Sequence, residues 1–187
     1  LRYEHASFVR PRPGERVGGD AALAVAVAGG MVFAIVDVLG HGDEAHQLTP
    51  RITHWLELHA SLDARESMRL LHESLRGSRG AAMGIATVHH ASGLLDYAGV
   101  GNTVLRLLGA REVRLVSVEG VLGQNIRSSP PQTMQLQAQD RLLLYTWTAR
   151  GQYPYESGPI LAYWARTSSR AGTHSFCSIW ARGLHER

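Results

Sequence analysis

The chain has 187 residues, 44% of them hydrophobic, which is the size of one domain with enough apolar side chains for a substantial core. Its 19 basic residues are all arginine, set against 16 acids for a net charge of +3, and they are scattered, which argues against a nucleic-acid partner. The single cysteine, Cys177, excludes an intrachain disulfide and argues against a thiolate zinc site; no apolar run approaches the roughly 18 residues of a membrane span. These features predict one unit, residues 1–187, in the cytoplasm, with no membrane partner.

After an N-terminal strand, residues 21–28 and 31–38 are apolar runs joined by Gly29-Gly30, a two-residue hairpin signal. Their continuous hydrophobicity predicts burial on both faces. The second run ends in Asp37-Val38-Leu39-Gly40-His41-Gly42, a carboxylate at a strand end followed by a glycine-bracketed turn that backbone and ligand can approach closely. Thr49-Pro50 predicts a helix cap with proline at the first helical position, and Ile52, Trp55, Leu56 and His59 follow at helical spacing. An earlier start at Asp43, with a kink at Pro50, is the alternative. Asp63 and Glu66 have the spacing of a capping box ahead of the stripe Ala64, Met68, Leu71 and Leu75, which Gly77 ends.

Strands are predicted at 82–89, 94–100, 103–108 and 112–118, with turns at Ser92-Gly93, Gly101-Asn102 and Gly109, the pattern of an antiparallel meander. Residues 120–131 read as a loop, 133–136 and 141–148 as a strand pair turning near Gln139-Asp140, 160–167 as a short helix and 176–181 as a closing strand. Two blocks of antiparallel strands, with helices between and after them, predict an α+β layered domain.

The ten histidines contain no HExxH, and His46, His54 and His59 share no helical face, so the reading is scattered surface histidines. No serine lies in a nucleophile elbow, and Gly99-Val100-Gly101 lacks the rest of a dinucleotide fingerprint. Read alone, Asp37 is either a ligand-holding carboxylate or a cap for the Gly40 turn or the helix beyond it. Asp20 is equally a turn residue after two glycines.

Five segments in order, Gly19-Asp20, Asp37 to Gly42, Arg79-Gly80-Ala81-Ala82, Tyr97 to Asn102 and Leu142 to Thr146, give the chain its resemblance to the PPM family of metal-dependent serine/threonine phosphatases, in the small SpoIIE/RsbX branch. The resemblance implies a four-layer α-β-β-α sandwich, two stacked antiparallel sheets flanked by helices, with the metal site in the cleft at one end. It also implies manganese or magnesium as cofactor, activating a water against the phosphorus of a phosphoserine. Two dications about 4 Å apart repel by roughly 16 kcal/mol at an effective dielectric near 20, so such a site needs several carboxylates. By resemblance Asp37 takes the bridging position, Asp20 acts nearby through water, and Val38 contributes its backbone carbonyl while adding a Cβ where the family has glycine. Gly40, His41 and Gly42 form the turn, in which His41 binds no metal and has at most a helix-entry or phosphate-contacting role.

Two departures limit what the resemblance implies. Trp147 and Thr148 follow Thr146 where the family carries aspartate-glycine, and Thr173-His174-Ser175 stand where paired aspartates are expected. An indole cannot bind a hard cation. His174 offers one nitrogen ligand, better suited to manganese or zinc than to magnesium. One metal or none is therefore expected. Two functions remain: a serine phosphatase, impaired by the lost ligands, acting on phosphorylated STAS-domain regulators of bacterial stress signalling, or an inactive pseudophosphatase that binds such a phosphoprotein or its kinase.

Overall fold

Residues 30–38 are apolar at nearly every position because both faces of that strand are covered. The computed structural model describes residues 2–11, 14–128, 130, 132–137, 140–146 and 176–184. In chain order its elements are β1 (Arg2–Arg10), β2 (Asp20–Val27), β3 (Gly30–Val38), α1 (Gly42–His46), α2 (Thr49–His59), α3 (Ala64–Ser74), β4 (Ala81–His89), β5 (Leu94–Val100), β6 (Thr103–Leu108), β7 (Glu112–Val116), β8 (Gly120–Val121), β9 (Asn125–Ile126), β10 (Gln132–Gln135), β11 (Arg141–Thr146) and β12 (Phe176–Leu184). Two antiparallel sheets result, ordered β10-β5-β4-β3-β2 and β1-β12-β11-β6-β7, with β8-β9 as a separate small hairpin.

Side chains alternate across a strand, so β3 serves two cores. Val32, Ala34, Val36 and Val38 pack with Ile52 and Leu56 of α2 and with Met68 and Leu71 of α3. Phe33 and Ile35 face the other sheet and pack with Leu105, Leu107, Leu142 and Leu144. Among the described residues, helices, first sheet and second sheet thus stack as three layers of the sandwich. The helix expected at 160–167, which would supply the fourth, lies outside the described residues. No described helix is long and apolar enough to cross a membrane.

Several local expectations change in the fold. The hairpin loop is Ala28-Gly29 rather than Gly29-Gly30, because Val27 pairs with Gly30. β2 is only half-buried, since it is the edge strand of its sheet. The helical stretch after the glycine turn is two helices, and Leu48, not Thr49, occupies the cap position of α2. Thr49 turns inward instead, for a reason given below. Asp63 does cap α3, accepting from the backbone N–H groups of Arg65 (3.1 Å) and Glu66 (2.9 Å). Glu66 pairs with Arg69 at 2.7 Å, so only half of the capping box forms.

The predicted four-strand meander is divided between the sheets. β4 and β5 pair in the first, β6 and β7 in the second, and the chain crosses over at Gly101-Asn102. Likewise β10 pairs with β5, whereas β11 lies between β6 and β12, so these two strands are not partners. Strand patterning is identical for a hairpin and for a crossover between stacked sheets, which is why sequence spacing alone reads both as a meander. The loop at 120–131 contains the β8–β9 hairpin, whose Leu122 exchanges both backbone hydrogen bonds with Ala81 (3.2 and 2.8 Å). His72 is buried rather than exposed, and its Nδ1 accepts the Gly123 N–H at 3.1 Å.

Between the sheets, Gly84 and Gly99 stand opposite each other, and the space they leave holds the Tyr97 hydroxyl. That hydroxyl hydrogen-bonds Thr103 Oγ1 and Ser117 Oγ, each at 3.1 Å, and burial raises the Tyr97 phenol above its ordinary pKa. A Cβ at position 99 would lie 2.2 Å from Ser117 Oγ and 2.4 Å from the Tyr97 oxygen. Overpacking of a tight core costs about 1–3 kcal/mol. Gly99→Ala is therefore expected to lower the urea midpoint by at least that equivalent, with an unchanged denaturant slope.

Candidate functional site

Asp37 has the strand parity of Phe33 and Ile35, so its side chain points between the sheets at the open end of the sandwich. The β2–β3 register sets Asp20 directly opposite it, on the same face. Asp20 is buried, at 7% exposure, directly across the strand pair from Asp37. Burial raises the Asp37 carboxyl above its ordinary value of 3.8, against the opposing hydrogen bonds from Asn102 and Asp20.

Three elements hold the pair. The Gly19 carbonyl, one residue before Asp20, accepts from the Val38 N–H (3.2 Å) and from the inward-turned Thr49 hydroxyl (2.9 Å). A Cβ at Gly19 would come within 2.8 Å of the Cβ atoms of Val38 and Ala45, so only glycine lets strand and helix close on this turn. His46 Nδ1 lies 3.2 Å from the preceding Gly18 carbonyl oxygen. At the far side, Asn102 donates from Nδ2 to Asp37 Oδ2 at 2.9 Å, and Asn102 Oδ1 is buried with no hydrogen-bond partner among the described residues.

Gly40 and Gly42 take positive φ values of +95° and +65°, which a side chain would strain. Arg79 grips this turn, donating from Nη1 to the Leu39 carbonyl (3.0 Å) and from Nη2 to Glu44 (2.6 Å). The Leu39 N–H in turn donates to the Gly80 carbonyl at 3.0 Å. His41 sits at the start of α1 with its Nδ1 2.5 Å from Glu15 Oε1, and its ring is largely exposed. Val38 is buried among the helix-side residues, so its Cβ does not enter the space between the sheets. His174, Trp147 and Thr148 lie outside the described residues.

The fold therefore brings Asp20 and Asp37 together and sets the Gly40-His41-Gly42 turn at the end of the same strand. Sequence reading passed over two contributors. Asn102 was visible as the residue after Gly101 in the resembling turn, but nothing local shows that this turn crosses between sheets and reaches Asp37. Glu15 carries no pattern of its own and reaches His41 only through the path of the loop before β2. Among the described residues, no three His, Cys, Asp or Glu side chains form a group that could hold a metal ion.

An aspartate pair at one end of a two-sheet sandwich, beside a glycine-histidine-glycine turn and backed by helices, defines a PPM-type phosphatase-like domain. The family model for stage II sporulation protein E, SpoIIE, matches residues 28–146, more than half of the chain, and the chain belongs to that family. A chain from a structure of the bacterial stressosome, described as a modular system adapted to control secondary messenger signaling, is 26% identical, with a TM-score of 0.81 over 97% of this chain and 100% of the other. RsbX in complex with magnesium is 16% identical, with a TM-score of 0.82 over 96% of this chain and 94% of that one. The phosphatase domain of Bacillus subtilis SpoIIE, solved with a fragment of its regulatory domain, is 16% identical at a TM-score of 0.79, over 99% of this chain and 63% of its own. The last two likenesses speak to the fold alone. No curated protein matches the chain.

A carboxyl whose native pKa is raised binds more protons folded than unfolded, so it takes stability away as the pH rises from 3.8 through the native value. In the presence of a chelator, Asp37→Asn is expected to be more stable than wild type at pH 7. Relief of a functional-site conflict is worth about 0.5–2 kcal/mol, and the difference should vanish below pH 3.8, as read by denaturant melts at a series of pH values.

Proposed function

We propose that this chain, as a single domain over residues 1–187, is a SpoIIE-type serine phosphatase acting on phosphorylated STAS-type regulators of bacterial stress signalling in the cytoplasm. The observation that carries the reading is the buried Asp20–Asp37 pair, two carboxyl groups set opposite each other where a cation would offset their charge. The oxygens available are hard donors: both carboxylates, the Val38 carbonyl and the buried, unpaired Asn102 Oδ1. Such a set fits magnesium or manganese. When bound, a divalent cation would supply the lowered water pKa that lets phosphate ester hydrolysis run at neutral pH.

The residues of the chain would do the rest. Asp37 and Asp20 neutralise and orient the cation, while Thr49 and the Val38 N–H fix the turn that delivers Asp20. Arg79 keeps the Gly40-His41-Gly42 turn in place at the edge of the site, where phosphate would arrive. His174 would add a nitrogen donor. Activity is reduced, in this reading, because Trp147 and Thr173-His174-Ser175 replace the aspartates that a second metal requires.

Trp147 also favours a second reading, a pseudophosphatase that binds a phosphorylated STAS-type protein or its kinase without hydrolysis. Manganese titration by calorimetry, with hydrolysis of p-nitrophenyl phosphate, separates the two. The phosphatase reading expects one bound cation and slow turnover. Asp37→Ala should then cut turnover about 100-fold or more, since metal stabilisation supplies several kcal/mol and each 1.4 kcal/mol is tenfold. Trp147→Asp should raise it. Cation binding with no turnover in wild type or in Trp147→Asp would sink the enzyme reading in favour of the binding module.

A further inference from the structure

We propose that Asn102 is a positioning residue of the aspartate pair, with one end of its amide fixing Asp37 and the other reserved for the cation or its hydration shell. This rests on the metal-dependent reading above and extends it to a residue outside the family's aspartates. Three observations converge on the side chain. Its Nδ2 is spent on Asp37 Oδ2 at 2.9 Å, which holds that carboxyl in one orientation. Its Oδ1 is buried and has no partner among the described residues, a costly condition for which an arriving water or ion is one recognised explanation.

The third observation is how firmly its backbone is held. Asn102 stands at the crossover between the two sheets, between β5, paired with β4, and β6, paired with β7 and β11. The N–H of Gly101 donates to the Val118 carbonyl at 2.9 Å, and the next residue, Thr103, is tied through its hydroxyl to the Met83 carbonyl at 3.1 Å. A Cβ at Gly101 would approach Ala82 Cβ to 2.6 Å, so the turn lies flush against the start of β4. An amide on so rigid a support keeps its place whether or not the site is filled. An acceptor oxygen takes a hard cation or an O–H or N–H donor. A hydrated divalent ion offers the first two, and its charge suits the Asp37 carboxyl beside the amide.

Calorimetric titration of the full chain with Mn²⁺ tests the assignment without any activity measurement. Asn102→Ala is expected to bind Mn²⁺ about 10–100-fold more weakly than wild type, the usual consequence of losing a group that orients a metal ligand. Asn102→Asp keeps an acceptor oxygen and adds a charge. It is expected to melt at a lower temperature than wild type in chelator and to gain more from Mn²⁺ than wild type does, a rescue that a purely structural amide would not produce. Asn102→Ser, too short to reach Asp37, repeats the alanine test should that variant fail to fold. If wild type binds Mn²⁺ while the alanine, serine and aspartate variants all stay within threefold of it, the role of Asn102 is wrong and the metal site stands. If wild type binds no divalent cation, the metal-dependent reading falls and this assignment falls with it.

Discussion

Two carboxyl groups face each other across an antiparallel strand pair, at the end of a strand buried on both sides, and the surrounding structure is arranged to keep them there. Like charges opposite one another on neighbouring strands are destabilising, and removal from water adds to the cost. The fold meets this with the Asn102 amide, which donates to Asp37, and burial leaves Asp37 with a raised pKa. A pair of this kind is held by the rest of the domain rather than contributing to its stability, which is the usual mark of a functional site on an otherwise consistent scaffold.

The supports reach the pair from both cores. On the helix side, Thr49 leaves the cap position of α2 to bind the Gly19 carbonyl, so the first turn of a helix fixes the residue before Asp20. The buried His72 on α3 accepts from Gly123, and Leu122 beside it bonds to Ala81 at the start of β4. Gln124 donates to the Arg79 carbonyl at 2.7 Å, and Arg79 holds the Leu39 carbonyl next to Gly40. The small β8–β9 hairpin thus links a helix to the glycine turn. Between the sheets, the crossover at Gly101-Asn102 joins two sheets and carries the amide that reaches Asp37.

Membership of the SpoIIE family accounts for the sandwich. Trp147 and His174 lie outside the described residues. The Asp20–Asp37 pair and the Asn102 amide are the part of the site that the described residues build.

The sequence by itself determined the elements that depend on local pattern. The doubly buried strand, the hairpin before it, the stripe of α3 with Asp63 as its cap, and Asp37 at a glycine turn all follow from periodicity and residue type, which act over a few positions. Asp20 and Asp37 could be named because each lies in a short motif. Only the tertiary structure decided that they stand in register, that the apparent meander is shared between two sheets, that Thr49 turns inward, and that Asn102 and Glu15 reach the site. Each of these is a contact between residues far apart in the chain, set by how sheets and helices stack, and strand patterning is blind to which sheet a strand joins.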